Sequence, residues 1–279
     1  MSEFTTSDGI RLAFDDQGEG PALICLSGLT RNRTDFDYVQ PHLTNVRVIR
    51  LDYRGRGRSD WAPFATYTIP QEAQDTLGLM DHLGIEKAAI LGTSRGGLIA
   101  MGLAAMARER LLGVCFNDIG PEIAREGLDA IIGYIGRNPT QKTYAEATAM
   151  RASLMAGFEG VSEARWAEEV RKHYLETPDG LQINYDPALR DAVIAADQAI
   201  ASGAVPAPDL WALFDLLDGL SLAAIRGANS NLLSADTFAE MQSRRPDMIA
   251  AEVPGRGHVP FLDEPEALTA ISAFLETLR

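Results

Sequence analysis

Residues 88–98 read AAILGTSRGGL, an apolar run followed by a tight, glycine-rich turn. The run Ala88–Leu91 is typical of a buried strand, and a helical pattern, Leu98–Arg108, follows the turn. Between them, Gly92-Thr93-Ser94-Arg95-Gly96 matches the pattern G-x-S-x-G. So short a turn strains the backbone of the central serine and lifts its hydroxyl above the sheet, while the flanking glycines relieve crowding. The stretch therefore predicts that Ser94 is a nucleophile at the positive end of a helix.

Strand and helix patterns alternate on both sides of this turn. Residues 3–16 predict an antiparallel hairpin around Ser7-Asp8-Gly9. Further predicted strands are Ala22–Leu26, Val46–Leu51, Leu112–Phe116, Leu222–Arg226 and Ile249–Val253, and further predicted helices are Gln71–Leu83, Ala235–Ser243 and Pro265–Leu278. This alternation indicates an α/β fold, with a mostly parallel central sheet flanked by helices.

The alternation stops after Pro121 and resumes after Pro208. In between, Thr143–Met155 and Ser162–Tyr174 predict helices, and no segment has a convincing strand pattern. We therefore expect a core domain formed by residues 1–121 and 209–279, and an inserted helical cap at residues 122–208.

His258 is the candidate general base among the four histidines. His42 and His82 lie in predicted helices of the core domain, and His173 lies in a charged cap helix. His258 instead follows the predicted strand Ile249–Val253, in a loop rich in glycine and proline. It lies 164 residues after Ser94, so only the folded chain can bring the two together.

The chain resembles the α/β-hydrolase superfamily over nearly its whole length, because it has several motifs of that family in the same order. The motifs are Ser27-Gly28-Leu29, the loop Asp52-Tyr53-Arg54-Gly55-Arg56-Gly57-Arg58-Ser59, the Ser94 turn and Gly257-His258. Relatives usually carry His at the position of Ser27. The layout is similar to that of small capped serine hydrolases such as esterases and enol-lactonases.

The resemblance also implies roles for particular residues. His258 would accept the Ser94 proton and later donate it to the leaving group. The backbone N–H groups of Leu29 and Arg95 would form the oxyanion hole.

The acidic partner of His258 has two candidates. The family usually places an Asp in the loop after the penultimate core strand, where this chain has Asn231, 27 residues before His258. An amide supplies no charge for an imidazolium and can hold the wrong tautomer. Asp118 ends the predicted strand Leu112–Phe116, and some superfamily members take their acid from that position. Three possibilities remain: Asp118 is the acid, which its charge favours, or Asn231 marks a variant or weakened enzyme, or Asp118 only caps the turn that follows it.

A serine nucleophile favours attack on a carbonyl, giving an acyl-enzyme that water resolves. Esters, lactones and activated C–C bonds are the expected substrates, and the expected partner is a small-molecule acyl substrate. The alternative, suggested by Asn231, is a ligand-binding or sensor protein with weak turnover. Residues expected to line the substrate pocket are Phe36, Trp61, Tyr134 and Trp211.

The acidic composition argues against other partners. The formal net charge is −14, and the basic residues form no long run, which disfavours nucleic-acid and membrane partners. Only Cys25 and Cys115 are present, each in an apolar run, and no metal-type spacing or dinucleotide or Walker motif occurs. We therefore expect no metal or organic cofactor, and a cytoplasmic location.

Overall fold

The computed structural model describes residues 1–155 and 157–278. Its strands in chain order are β1 (Ser2–Thr5), β2 (Arg11–Gln17), β3 (Ala22–Leu26), β4 (Arg47–Leu51), β5 (Ala88–Thr93), β6 (Leu111–Asn117), β7 (Tyr174–Thr177), β8 (Gly180–Ile183), β9 (Ser221–Gly227) and β10 (Ile249–Val253). Its α-helices are α1 (Ile69–His82), α2 (Arg95–Ala107), α3 (Arg125–Tyr134), α4 (Tyr144–Leu154), α5 (Glu163–His173), α6 (Leu189–Ala201), α7 (Leu210–Asp215), α8 (Ala235–Arg244) and α9 (Pro265–Glu276). Within these ranges, no helix has the length and apolar character needed to cross a membrane.

The main sheet has eight strands in the order β1-β2-β4-β3-β5-β6-β9-β10. The pairs β1–β2 and β2–β4 are antiparallel, and every pair from β4–β3 to β9–β10 is parallel. The predicted mostly parallel α/β sheet and its amino-terminal hairpin are therefore confirmed.

Alternate residues of the central strands face two separate cores. In β3, Leu23 and Cys25 pack in the cluster that includes α9, whereas Ile24 and Leu26 pack in the cluster that includes α1 and α2. Every residue of β3 and β5 is buried, so helices cover the centre of the sheet on both faces. A slip of one residue would exchange these two sets of side chains, and the hydrophobic pattern therefore fixes the register.

The strand order reverses beside Ser94. Strand β3 lies between β4 and β5, so the chain leaves β3 towards one side of the sheet, and β5 lies on the other side. A crevice opens at the carboxyl ends of the strands at such a switch point. The loop after β3, which contains Leu29, and the turn after β5, which contains Ser94, consequently lie side by side.

The inserted region holds helices α3 to α6 and a two-stranded hairpin, β7–β8. The expectation that this region contains no strand was wrong. The two four-residue strands, on either side of Pro178 and Asp179, are too short to show a strand period in the sequence. Where their apolar side chains are buried, they pack against the cap helices. Leu181, for example, packs with Ala147 and Val170.

Candidate active site

Ser94 lies in the sharp turn that joins β5 to α2. Its backbone has φ 50° and ψ −113°, a conformation that non-glycine residues rarely adopt. A Cβ at Gly92 would lie 2.6 Å from the Gly96 carbonyl carbon, and one at Gly96 would overlap the Leu26 carbonyl oxygen. The two glycines therefore allow the strand and helix to meet closely enough to form the turn. Ser94 is 8% exposed, so the hydroxyl lies in a nearly closed site.

The loop after β10 brings His258 to the Ser94 hydroxyl. His258 Nε2 lies 3.0 Å from Ser94 Oγ, and Nδ1 lies 2.7 Å from an oxygen of Asp118. An ionised carboxylate can only accept a hydrogen bond, which assigns the proton of the neutral imidazole to Nδ1. The lone pair of Nε2 then faces the serine hydroxyl, the arrangement that a general base needs.

Asp118 is fully buried at the carboxyl end of β6, where several groups hold its carboxylate. Its Oδ1 accepts the Gly227 N–H at 2.7 Å, and its Oδ2 accepts the Ser230 hydroxyl at 2.6 Å as well as the His258 contact. Its own N–H donates to the Ile225 carbonyl, which fixes the backbone at φ 55°. These bonds aim the carboxylate at the imidazole.

The alternative acid position, Asn231, takes no part in this cluster. Asn231 is exposed, and its side chain makes no hydrogen bond within the ranges that the structure describes. The residue before it, Ser230, turns inward and donates to Asp118. Sequence reasoning missed Ser230, because a serine in this loop has no motif of its own.

Two backbone N–H groups point to the space beside Ser94. Those of Leu29 and Arg95 find no acceptor among residues 1–155 and 157–278. The first N–H groups of a helix are free of intrahelical bonds, which explains Arg95 at the start of α2. A Cβ built on Gly28 would lie 3.9 Å from Ser94 Cβ, so the Leu29 loop passes directly by the serine. These donors, with the positive end of α2, suit a developing oxyanion.

The loop after β4 holds the Leu29 segment in place. Arg56 Nε donates to the Leu29 carbonyl at 3.0 Å, and the Tyr53 hydroxyl donates to the Ser27 carbonyl at 3.0 Å. Arg56 is itself buried and paired with Glu72 at 2.8 Å. Because Tyr53 bonds the main chain of Ser27, the departure from the family's usual His leaves this support intact.

The Arg95 side chain points away from the serine. Its guanidinium pairs with the second oxygen of Glu72 at 2.5 Å and donates to the Tyr67 carbonyl. Only the main chain of Arg95 is therefore available at the reaction centre.

The four predicted pocket residues lie in different places. Phe36 is fully buried in the core cluster on the α9 face, and Trp211 packs against Phe214 and Arg244 on α7 and α8. Trp61 is 63% exposed.

Tyr134 is the last residue of helix α3 and is 53% exposed. Burial of its hydroxyl among neighbouring groups raises the pKa of Tyr134. Its place in a substrate pocket stays a prediction.

The cap packs directly on the loop that carries His258. The Glu159 N–H donates to the Gly255 carbonyl at 2.9 Å, and the Arg256 guanidinium donates back to the Glu159 carbonyl. Farther along, Arg165 of α5 forms a two-pronged ion pair with Asp263 at 2.6 and 3.1 Å. Residues 159 and 165 of the inserted region therefore contact the segment that carries His258 and Asp263.

Two of the cavities in the described part of the chain offer no room for a substrate at Ser94. One of about 10 Å³ lies behind Thr93 and holds no more than one water molecule, so it is too small for a substrate. An open depression of about 420 Å³ beside Gly84 and Glu86 lies at the amino ends of the strands, opposite to Ser94.

The sequence pattern of the alpha/beta hydrolase family matches residues 23–271, most of the chain. This chain belongs to the α/β hydrolase family. The resemblance drawn from its motifs is thereby confirmed, as is the expectation that the protein is a hydrolase.

Individual relatives of this α/β hydrolase extend the comparison. A 3-hydroxybutyrate-oligomer hydrolase of Cupriavidus necator is 36% identical over 276 residues, which cover 95% of this chain and 92% of that protein. An α/β hydrolase from Novosphingobium aromaticivorans is 36% identical with a TM-score of 0.88, covering 99% of this chain and 97% of that one. An esterase from Thermogutta terrifontis has a TM-score of 0.71 at 24% identity, covering 99% and 98%, and shows the fold alone.

Proposed function

We propose that this α/β hydrolase cleaves carboxylic esters through an acyl-enzyme formed on Ser94. The observation that carries the proposal is the continuous series of contacts from Asp118 through His258 to the Ser94 hydroxyl. In the first step the Ser94 oxygen forms a bond to the ester carbonyl carbon, and its proton moves to His258 Nε2. The carbonyl oxygen becomes an oxyanion that the N–H groups of Leu29 and Arg95 stabilise.

The remaining steps of the reaction release the alcohol and then the acid. The tetrahedral intermediate breaks its bond to the alcohol oxygen, which takes the proton from His258. Water then loses a proton to His258 as it attacks the acyl carbon. The second tetrahedral intermediate breaks its bond to the Ser94 oxygen, which takes the proton back from His258 as the acid leaves. The buried carboxylate of Asp118 stabilises the imidazolium in both halves.

The serine nucleophile and the similarity to a named hydrolase limit the proposed class of substrate. Dehalogenase and epoxide-hydrolase chemistry needs a carboxylate in place of Ser94, since the alkyl ester formed on it is then hydrolysed. The Cupriavidus necator relative, similar over nearly the full length of both chains, acts by name on oligomers of 3-hydroxybutyrate. Such oligomers consist of hydroxy-acid units joined by ester bonds. We therefore take short hydroxy-acid esters as the proposed substrate class.

The sensor alternative depended on Asn231 as the partner of His258. The Asp118 carboxylate, 2.7 Å from His258 Nδ1, supports the hydrolase proposal instead. No second function is proposed.

Replacement of the nucleophile tests the proposal. The wild-type enzyme should hydrolyse p-nitrophenyl butyrate and the linear dimer of 3-hydroxybutyrate, and Ser94→Ala should lower kcat by at least about 10³-fold. A serine-reactive phosphonate should add its mass to Ser94 alone. Hydrolysis that continues unchanged in Ser94→Ala, or labelling of another residue, would refute the mechanism.

A further inference from the structure

Glu72, in the first turn of α1, is a buried carboxylate that bonds two arginines at once. Its Oε1 accepts a hydrogen bond from Arg56 Nη1 at 2.8 Å, and its Oε2 accepts one from Arg95 Nε at 2.5 Å. The side chains of Glu72 and Arg56 are fully buried, and that of Arg95 is 11% exposed. One carboxylate therefore connects the loop after β4 with the first turn of α2.

Arg56 extends this connection to the first proposed oxyanion donor, the Leu29 N–H. Its Nε donates to the Leu29 carbonyl at 3.0 Å, and its Nη1 donates to the Arg54 carbonyl at 2.7 Å as well as to Glu72. A guanidinium is planar and rigid, so the groups bonded at its edges keep a fixed geometry. The carbonyl and the N–H of Leu29 share one Cα, and a fixed carbonyl therefore restricts the direction of the N–H.

Arg95 extends the connection to the second proposed donor, its own backbone N–H. This residue begins α2 directly after the strained Ser94. Its side chain is held at two points by the segment that starts α1, because Nε bonds Glu72 and Nη2 donates to the Tyr67 carbonyl at 3.0 Å. The first turn of α2 is therefore tied to the carboxylate that also holds the Leu29 loop.

We propose that Glu72 is a positioning residue that sets the two oxyanion donors relative to each other. It acts through Arg56 on Leu29 and through the Arg95 side chain on the start of α2. The inference rests on the ester hydrolysis proposed above. An oxyanion exists only after Ser94 has attacked the ester, so displaced donors weaken the transition state more than the bound substrate. We therefore expect Glu72 to affect kcat and to leave KM nearly unchanged.

The charge of Glu72 and its contacts predict opposite effects on the reaction. A negative charge near the oxyanion hole disfavours an oxyanion, so loss of the charge alone would raise kcat. Loss of the contacts would lower kcat, because a glutamine offers one oxygen acceptor and its amide nitrogen cannot accept a bond from the second arginine. The direction of the change in Glu72→Gln therefore separates positioning from charge.

Steady-state kinetics with p-nitrophenyl butyrate test the inference. In Glu72→Gln, kcat should fall by about 10- to 100-fold while KM stays within about threefold of wild type. The matched control is Asp75→Asn. Asp75 lies three residues further along α1, is also buried, and bonds Arg54 of the same loop twice at 2.7 Å. Both variants should lower Tm, since each weakens a buried ion pair, but Asp75→Asn should keep kcat within about threefold. An unchanged or raised kcat in Glu72→Gln, or an equal fall in Asp75→Asn, would overturn the inference.

Arg95→Met keeps the test decisive if Glu72→Gln does not fold. This variant removes one of the two connections at a partly exposed side chain and leaves the backbone N–H of residue 95 in place. It should lower kcat by about 3- to 10-fold with KM nearly unchanged. A kcat equal to that of wild type, or a loss that appears only in KM, would contradict a role of the side chain in placing the donors.

Crystal structures of the variants separate this inference from the catalytic proposal. In Glu72→Gln the backbone nitrogens of Leu29 and Arg95 should move relative to each other by about 0.5 Å or more, and in Asp75→Asn they should stay as in wild type. That result would uphold the positioning role even if the wild-type enzyme hydrolysed no ester. Donors that do not move in Glu72→Gln would overturn it, even if hydrolysis by the wild-type enzyme depended on Ser94.

Discussion

Asp118 works as a charge held at one ring nitrogen of His258, and this role can be measured. The variant Asp118→Asn should fold but lose about 10⁴-fold in kcat, because an amide can donate to Nδ1 and leave the proton on the wrong nitrogen. Asn231→Asp, at the exposed alternative position, should change kcat by less than about twofold. Steady-state kinetics of the two variants with p-nitrophenyl butyrate would decide between Asp118 and Asn231 as the partner of His258. A large gain from Asn231→Asp would contradict the assignment of Asp118.

The sequence predicted these residues unequally, for physical reasons. Ser94 and His258 lie in turns whose glycines and local pattern indicate their backbone path. The acid could not be chosen from the sequence, since both β6 and β9 end at the same edge of the sheet. Only the folded backbone shows that Asp118 points inward and Asn231 outward. The burial of Phe36 could not be predicted from its loop position, because part of its environment comes from strands elsewhere in the chain.

At the scale of elements, helix α5 fixes the cap to the oxyanion loop through Glu169. Burial alone would raise the pKa of Glu169, but the charges of Arg31 and Lys172 outweigh it and lower the pKa to about 2. A carboxyl whose pKa is lower in the folded state stabilises the fold above its unfolded pKa, near 4.5, and loses that effect as the pH falls towards 2.

The lowered pKa of Glu169 can be tested through the pH dependence of stability. At pH 7, Glu169→Gln should lower the free energy of unfolding by about 1–3 kcal/mol, and the difference from wild type should shrink as the pH falls from 4.5 towards 2. Urea unfolding at pH 7, 4.5 and 3 would measure it. The neighbouring Glu168→Gln is the control, because Glu168 is exposed and its contact with Arg165 is long, at 3.9 Å. An effect of Glu169→Gln that grows at low pH would contradict this account.

Some elements have the bounds that the sequence predicted. Strands β3 and β10 begin and end at the predicted residues, because turn residues bound their runs, although only β3 of the two is buried throughout. Helix α2 begins at Arg95, three residues before the predicted start, since the helical backbone starts directly after the strained serine. The cap hairpin β7–β8 was missed, as its strands depend on helices α4 and α5 for their burial.

At the scale of the whole molecule, an ion pair connects the inserted region with the segment that follows His258. Arg165 on the cap and Asp263 in the loop beyond His258 join the two, each side chain 24% exposed. A partly exposed ion pair contributes about 0.5–1 kcal/mol, so it should affect the position of the cap more than the stability of the fold. We expect Asp263→Asn and Arg165→Met each to raise KM by about 2- to 5-fold with little change in Tm.

The double variant Asp263→Asn/Arg165→Met tests whether the two residues affect KM through their ion pair. Arg165 also lies over the rings of Tyr38 and Phe261, so its removal alone has more than one effect. A double-mutant cycle isolates the ion pair, because the stacking loss appears both in Arg165→Met and in the double variant. If the pair positions the cap, Asp263→Asn should raise KM in the wild-type background and leave it unchanged when Arg165 is already Met. Independent, additive increases would mean that each residue acts locally and that other contacts hold the cap over Ser94.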